Sequence, residues 1–341
     1  MKTTFGWALA GTGALVALIG SAQAQTRTLD TIRQKGVVNC GVSTGVAGFS
    51  NPDDKGNWTG FDVDFCRAVS AVVFNDPNKV SYKPTTPKER FTALQSGEVD
   101  ILSRTTTWTV SRDSAMGLAF AGIMYYDGQG FITKASSGAK AAKELNGATI
   151  CVQTGTTTEL NLADFFRTNN LQYKPVVFEK VDEALAAYDS GRCDAYTTDA
   201  SGLYAQRLRL KNPGEHVVLP DIISKEPLGP VVRQGDFQWF TLVKWVYYAL
   251  LNAEELGINQ KNVDQMLTST NPEIRRLLGV EGDFGKGLGV DNDWVVRIVK
   301  NVGNYAEIYD RNLGAGSPIK IDRGINKLWN AGGLQYAPPV R

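Results

Sequence analysis

A short α/β pattern occurs twice in this chain, in the same order and with a cysteine at the same place. Residues 36–42 (GVVNCGV) and 147–153 (GATICVQ) are both apolar, strand-like segments. Farther along, residues 96–100 (SGEVD) and 190–194 (SGRCD) each follow a helical segment and lead into another strand. Strands that alternate with helices are typical of parallel sheets. We therefore expect two α/β lobes of similar topology.

Apolar periodicity gives the coarse order of the elements, beginning with a helix over residues 61–74. The other expected helices are 29–35, 90–96, 239–256, 263–267 and 293–313, and the expected strands of the first unit are 37–42, 79–84 and 99–103. Residues 125–134 and 227–232 are strand-like and contain glycine, so we expect them to cross between the lobes. This predicts a first lobe of residues 25–129 and 231–341, with a C-terminal helical extension, and a second lobe of residues 130–230.

Residues 1–24 have the pattern of a secretory signal peptide. Lys2 is followed by an uncharged run over residues 5–20, which is shorter than the about 20 residues that a bilayer span needs. Ala22, Gln23 and Ala24 then supply a small-x-small cleavage site. We expect cleavage after Ala24 and export of a soluble protein to the periplasm. The alternative is an N-terminal core helix.

All four cysteines lie beyond that cleavage site. An even number in an oxidising compartment favours disulfides, and the wide spacing between neighbouring cysteines does not resemble a zinc knuckle. Position in the expected fold favours the pairs Cys40–Cys66 and Cys151–Cys193. The alternative is four buried free thiols that act as small apolar residues.

Charge and histidine content limit the possible functions. The chain has 36 Lys+Arg and 35 Asp+Glu, a net charge of +1, whereas a nucleic-acid-binding surface usually needs a basic excess. His216 is the single histidine, so chemistry that needs paired histidines is nearly excluded. We expect no metal and no cofactor.

Polar segments follow the expected strands of both lobes. In open parallel sheets, ligands bind beyond the carboxyl ends of the strands, so two facing lobes would enclose a cleft. Its expected walls are rich in hydroxyl groups and glycine, and comprise residues 43–49, 104–112, 153–158 and 197–201. Arg112 is the obvious cation of the first lobe and Asp199 the obvious anion of the second. This pair complements a zwitterion, whose carboxylate would accept a bidentate bond from arginine.

Four motifs, most of which overlap these segments, resemble those of the polar amino-acid-binding proteins that serve ABC importers. They are WTGFDVD at 58–64, DILSRTTTWTVSR at 100–112, VQTGTT at 152–157 and DAYTTD at 194–199. The resemblance covers about residues 29–250, and the long tail is similar to the general L-amino-acid-binding branch. It implies an α/β, two-lobed periplasmic binding fold of type II. Each lobe would be a mainly parallel sheet flanked by helices, with two crossover strands as the hinge.

The resemblance also implies a role for each matching residue. Arg112 would bind the α-carboxylate, assisted by Thr107 and Thr157, while the Thr105 carbonyl and the Thr107 hydroxyl would hold the ammonium beside Asp199. Simpler interpretations are a surface ion pair for Arg112, a helix cap for Asp199 and strand-end hydroxyls for the threonines. Phe49 and Thr154, from the expected cleft walls, complete the set of candidate ligand-binding residues.

The ligand specificity is indicated by positions at which this sequence differs from related amino-acid-binding proteins. Ser43 and Val46 stand where binders of basic amino acids carry Asp and an aromatic residue, which disfavours a dedicated Lys or Arg binder. Arg90 falls where acidic-amino-acid binders carry a second arginine, and its alternative is a solvated helix residue. We expect broad acceptance of polar L-amino acids, with Glu, Asp, Gln and Asn favoured.

The expected function is therefore capture of free L-amino acids by closure of the lobes and delivery to the inner-membrane subunits of an ABC permease, as a monomer and not as an enzyme. The expected hinge comprises residues 127–131 and 227–232. One alternative is an enzyme on the same fold, of the cyclohexadienyl dehydratase type, for which the cleft offers only Asp199 and Glu159 as acids. Another is a sensor ectodomain.

Overall fold

The computed structural model describes residues 2–3 and 27–341. The expected signal peptide, apart from residues 2 and 3, lies outside the described residues, and cleavage after Ala24 stays a prediction. None of the helices in the described part of the chain combines the length and the apolar character that a membrane crossing needs.

The helices and strands follow one another much as the periodicity predicts. The strands are β1 (Val38–Val42), β2 (Asn51–Pro52), β3 (Trp58–Thr59), β4 (Val80–Pro84), β5 (Ile101–Leu102), β6 (Leu118–Phe120), β7 (Tyr125–Asp127), β8 (Gln129–Lys134), β9 (Thr149–Gln153), β10 (Lys174–Phe178), β11 (Ala195–Asp199), β12 (His216–Val218), β13 (Glu226–Leu228) and β14 (Val231–Arg233). The helices are α1 (Thr28–Lys35), α2 (Phe61–Phe74), α3 (Glu89–Ser96), α4 (Val110–Ala115), α5 (Thr157–Thr168), α6 (Val181–Asp189), α7 (Ala200–Arg207), α8 (Phe237–Glu255), α9 (Val263–Met266), α10 (Pro272–Leu277), α11 (Phe284–Leu288), α12 (Trp294–Asn301) and α13 (Tyr305–Asn312).

Two five-stranded sheets share one arrangement of strand directions, with strand orders β4-β1-β5-β14-β6 and β10-β9-β11-β8-β12. In each sheet the first three strands pair in parallel, and the fourth is antiparallel to both neighbours. The other four strands therefore share one direction, so each sheet is mainly parallel. The repeated cysteine segments form β1 and β9, which occupy the same position in the two sheets.

Helices cover both faces of each sheet, as mainly parallel sheets require. In the first lobe, α2, α8, α12 and α13 contribute to the large apolar cluster, and α3 contributes to a smaller one on the opposite face. In the second lobe, α6 and α7 pack on one face and α5 on the other. The result is a two-lobed α/β fold of the type II periplasmic binding class.

Glycine at position 60 sets the direction in which α2 begins. Gly60 has φ +134, and a Cβ there would lie 2.2 Å from the Phe49 carbonyl oxygen, so only glycine fits. From this start, α2 carries Asp62 in its first turn, where its carboxylate accepts from the hydroxyl of Ser103, the residue that follows β5.

The two sheets are connected by crossing strands. Strands β7 and β13 form a separate antiparallel ladder, in which Tyr126 lies opposite Pro227. Strand β7 continues into β8 of the second sheet, and β13 continues into β14 of the first. The second sheet begins at Gln129, one residue before the expected boundary, and the chain re-enters the first sheet at Val231.

One expected helix is wrong in its extent, because residues 293–313 form two helices. Gly303 adopts φ +97 between them, a backbone conformation that a continuing helix does not contain. Asn304 then caps α13: its side chain accepts from the Glu307 amide, and Glu307 accepts from the Asn304 amide. This capping box starts a new helix.

Both expected cysteine pairs are disulfide-bonded in the structure. Cys40 and Cys66 join β1 to α2 with Cα atoms 6.3 Å apart, and Cys151 and Cys193 join β9 to the segment before β11 at 5.7 Å. These separations lie within the usual range for disulfides. The interpretation as four free thiols is excluded by this arrangement.

Candidate functional site

A cavity lies between the lobes, at the carboxyl ends of the strands in both sheets. Its volume is about 50 Å³, several times the roughly 10–15 Å³ that one water molecule requires. The first lobe contributes Ser43, Thr44, Val46, Phe49, Arg90, Arg104, Thr105 and Thr107, and the second contributes Gln153, Thr156, Thr157, Thr158, Val181, Tyr196, Thr198, Asp199, Ser201, Gly202 and Gln206. The cavity thus lies where the topology of open sheets places a ligand.

Most of the residues predicted from the sequence lie in this wall. Phe49, Arg90, Thr105, Thr107, Thr157 and Asp199 all do so. Arg112 and Thr154 do not. The Thr154 hydroxyl donates to the Glu159 carboxylate at 3.1 Å. The same carboxylate oxygen accepts from the Gly155 amide, so Glu159 holds the loop that precedes α5.

Arg112 lies directly behind the wall. Thr109 caps α4 by accepting from the Arg112 amide, and the Arg112 guanidinium donates to the Thr107 carbonyl at 2.8 Å. Its guanidinium carbon is 5.2 Å from the centre of the Phe91 ring. Burial lowers the pKa of Arg112, whereas the negative charges of Glu226 and Asp199 act to raise it. With only 7% of its surface exposed, Arg112 does not form the surface ion pair that was the simpler interpretation.

Asp199 ends β11 on the opposite side of the cavity. It precedes α7, but its side chain accepts no capping hydrogen bond there, which argues against the simpler interpretation as a cap. Its buried Oδ1 has no hydrogen-bond partner among the described residues. Burial, and then the nearby charges of Asp127 and Glu226, raise the pKa of Asp199 well above its usual range. A carboxyl with an unpaired, buried oxygen is well placed to receive a cation.

Two further arginines lie in the first-lobe wall. Arg90 is 3% exposed, which excludes a solvated helix residue, and its Nε has no partner among the described residues. Burial, and then repulsion by Arg104 and Arg112, lower the pKa of Arg90 well below its usual value. Arg104 was not predicted as a separate cation, although it starts the expected segment 104–112. Its Nε donates to the Thr85 carbonyl, and burial lowers its pKa to about 10.

Thr105 is held in an unusual backbone conformation at the cavity. Its φ is +41, in the left-handed region that β-branched residues seldom adopt. Asp62 stabilises this conformation: one carboxylate oxygen accepts from the Thr105 amide and the other from the Ser103 hydroxyl, both at 3.1 Å. Burial raises the pKa of Asp62 to about 7.

Glu226 on β13 is a residue of this region that the sequence argument missed. It is almost fully buried and accepts hydrogen bonds from Thr107, Thr157, Asn161 and Ser224, at 2.6 to 2.8 Å. Thr107 belongs to the first lobe, while Thr157 and Asn161 belong to the second. The only signal available in the sequence was the position of Glu226 beside the expected crossing segment 227–232.

Residues 38–265 match the family model of bacterial extracellular solute-binding proteins, family 3. The chain belongs to this family. The solute-binding protein is 63% identical over 97% of its length to the general L-amino acid-binding periplasmic protein AapJ of Rhizobium johnstonii, of which it covers 98%. It is 53% identical over 97% of its length to the glutamate/glutamine/aspartate/asparagine-binding protein BztA of Rhodobacter capsulatus, of which it also covers 98%.

A solved structure with a ligand resembles this solute-binding protein closely. An ABC transporter periplasmic binding protein from Brucella ovis, with glutathione bound, superposes with a TM-score of 0.92 at 61% identity. The match covers 93% of the present chain and 100% of the Brucella chain. AapJ and the Brucella protein are named as periplasmic proteins, and the similarity of all three relatives extends through the C-terminal region beyond the matched family segment.

Proposed function

We propose that this protein is exported to the periplasm, captures free L-amino acids between its lobes and delivers them to the membrane subunits of an ABC permease. The observation that carries the proposal is the buried carboxyl of Asp199, which faces the cavity without a partner, while Arg90, Arg104 and Arg112 lie on the opposite lobe. A zwitterionic amino acid supplies the charge that each side needs.

The proposed binding mode places the α-carboxylate between Arg112 and the first turn of α5. Thr157 is the first residue of α5, so its amide has no partner within the helix and lies at the positive end of the helix dipole. The Thr157 and Thr107 hydroxyls already bond Glu226, so we assign this contact to the backbone amides. The ammonium then lies between Asp199 and the Thr105 carbonyl. Phe49 packs at the wall, and we do not retain Thr154 as a contact.

A preference for acidic and amide side chains follows from the surplus of arginines. Once Arg112 has received the α-carboxylate, Arg90 and Arg104 still present donors to the cavity. The names of AapJ and BztA, a general L-amino-acid binder and a binder of glutamate, glutamine, aspartate and asparagine, agree with this preference.

Closure of the lobes is the proposed mechanism. We assign residues 25–129 and 231–341 to the first lobe, residues 130–230 to the second, and the hinge to 127–131 and 227–232. Arg112 and Asp199 belong to different lobes, so one zwitterion satisfies both only when the lobes approach. The ligand therefore binds the closed state more tightly and shifts the population toward it. We expect the protein to act as a monomer.

The Brucella relative makes glutathione a second candidate ligand. Its γ-glutamyl residue carries the same α-ammonium and α-carboxylate groups as glutamate, so the same contacts could hold that end. Glutathione is larger than a single amino acid, so it would require more room between the lobes than glutamate does.

Calorimetric titration with the twenty L-amino acids, their D-enantiomers and glutathione tests the proposal. We expect micromolar or tighter binding of L-glutamate and L-glutamine, weaker binding of the D-enantiomers, and recovery of every ligand unchanged. Absence of binding to every L-amino acid would contradict the function. Conversion of a ligand to product would favour the enzyme alternative, for which Glu159 is poorly placed because it bonds Thr154 and Gly155.

A further inference from the structure

Gln206 lies at the end of the cavity formed by α7. It follows Gly202 by one helical turn, so the two residues share a helix face, and both lie in the cavity wall. Gly202 has no side chain to stand between Gln206 and the cavity. Gln206 is 1% exposed, and its Nε2 has no hydrogen-bond partner among the described residues. A buried amide donor without a partner calls for an explanation.

The orientation of this amide is fixed by Arg209. The Arg209 guanidinium donates to Gln206 Oε1 at 3.0 Å, which leaves Nε2 as the free end. The same guanidinium forms an ion pair with Asp182 at 2.7 Å and donates to the Gly45 carbonyl of the first lobe at 3.4 Å. Since arginine cannot accept a hydrogen bond, rotation of the amide would place two donors against each other. Arg209 therefore holds the Gln206 amide where the lobes meet.

The donor groups around the cavity are complementary to a second acceptor on the ligand. In the proposed binding mode, Arg112 and the first turn of α5 receive the α-carboxylate. The unpartnered Nε of Arg90 and Nε2 of Gln206 remain. Arginine favours a carboxylate, whereas a neutral amide can donate to a carboxylate or to a carboxamide oxygen.

We infer that Gln206 is a specificity-determining residue, which donates Nε2–H to the side-chain oxygen of an amino acid that ends in a carboxylate or carboxamide. This inference rests on the proposed function. It explains how one site accepts both acids and amides. A ligand with an aliphatic side chain leaves the buried amide unpaired and binds more weakly for that reason.

The test compares two variants of Gln206 with the parent by calorimetry, using L-glutamate, L-glutamine and L-norvaline. L-Norvaline keeps the α-ammonium and α-carboxylate but has no acceptor in its side chain. Gln206→Leu should weaken L-glutamate and L-glutamine at least tenfold, and it should leave L-norvaline binding unchanged or tighter, because the unpaired amide is removed. Gln206→Glu should raise the ratio of the glutamate Kd to the glutamine Kd at least tenfold, since two carboxylates repel while the ligand amide can donate to Glu. Gln265→Leu, at an exposed glutamine of α9, is the matched control and should change nothing.

The possible failures are distinguishable. A parent protein that binds none of the three ligands contradicts the proposed function, before any variant is considered. A parent that binds L-glutamate, with Gln206→Leu binding it equally well, overturns the inference alone. An equal loss for all three ligands in Gln206→Leu, or an unchanged glutamate-to-glutamine ratio in Gln206→Glu, would show a merely structural role. If Gln206→Leu does not fold, or if L-norvaline binds too weakly to measure, the ratio of the glutamate Kd to the glutamine Kd in Gln206→Glu decides whether the inference holds.

Discussion

The hydroxyl of Thr107 donates to the carboxylate of Glu226 at 2.6 Å, and this contact connects the first lobe to a crossing strand. The same carboxylate oxygen accepts from Thr157 at 2.8 Å, so that the hydroxyl groups of the two lobes lie 3.3 Å apart. Glu226 thus holds the two segments that we propose to receive the α-carboxylate. Removing it would loosen both at once.

Glu226→Ala is expected to weaken L-glutamate binding at least tenfold and to enlarge the ligand-free protein. The variant leaves Thr107, Thr157 and Asn161 without their shared acceptor, and unpaired buried groups cost about 1–3 kcal/mol each. Calorimetry and the radius of gyration from small-angle scattering measure the two effects. Glu183→Ala, at an exposed carboxylate of α6, is the control. Unaltered affinity and radius in Glu226→Ala would show that this network does not hold the lobes.

Arg112→Ala tests the assignment of the carboxylate contact. We expect a loss of about 3 kcal/mol or more, over a hundredfold in affinity, because a desolvated charge loses its partner. The fold should persist, which the melting temperature measures. Arg167→Ala is the control, since Arg167 forms an exposed ion pair with Asp164 and such pairs contribute little. L-Glutamate binding at the parent's affinity in Arg112→Ala would contradict the site.

Asp199 should make ligand binding pH-dependent. Burial and the charges of Asp127 and Glu226 raise its pKa in the free protein, opposed by Arg90 and Arg112, and burial raises the pKa of Asp127 to about 6. A bound ammonium favours the ionised carboxyl and lowers its pKa again. Below the free-state pKa, binding must therefore release a proton, and affinity falls by up to tenfold per pH unit. Above it, affinity is constant.

Titrations in two buffers of different ionisation enthalpy, between about pH 5 and pH 8, measure this proton release. Asp199→Asn should remove the protons that Asp199 releases on ligand binding, while any protons released by Asp127 should remain. Binding of L-glutamate with no proton exchange over the whole range would contradict a protonated Asp199 in the free protein.

The disulfides should each contribute substantially to stability. They close loops with sequence separations of 26 and 42 residues, for which the chain-entropy model gives about 3–4 kcal/mol each. Paired Cys→Ala variants of each bridge, unfolded in urea, measure this contribution, with non-reducing peptide mapping of the parent as the check on connectivity. Four free thiols in freshly purified protein would contradict the pairing.

Much of the fold follows from local sequence. The ends of α1, α2, α3 and α8 and of the strands β1, β4, β5 and β9 lie within two residues of expectation. Gly36 and Gly97 end α1 and α3 in left-handed conformations, and such caps are visible in the sequence. The break at Gly303 was missed because apolar residues continue at helical spacing through residues 293–313, although Asn304 and Glu307 carry a capping signal.

The site was predicted less completely than the fold. The motif resemblance pointed to residues at or after strand ends, of which Thr105, Thr107 and Asp199 lie in the cavity wall. Glu226 and Gln206 were not among the candidates from the sequence, because the hydrogen bonds of Glu226 involve residues distant in sequence, such as Thr107, and the burial of Gln206 is set by the fold. Thr154 was included because it lies in an expected wall segment, and only the three-dimensional contact with Glu159 shows that its side chain is engaged elsewhere.

A crystal structure of the protein with L-glutamate tests the central claim most directly. We predict one molecule between the lobes, with its α-carboxylate within hydrogen-bond distance of Arg112 and the Thr157 amide. Its ammonium should lie against Asp199, and the Arg209–Gly45 contact between the lobes should be retained. L-Glutamate bound to one lobe only, or with its ammonium away from Asp199, would contradict the account.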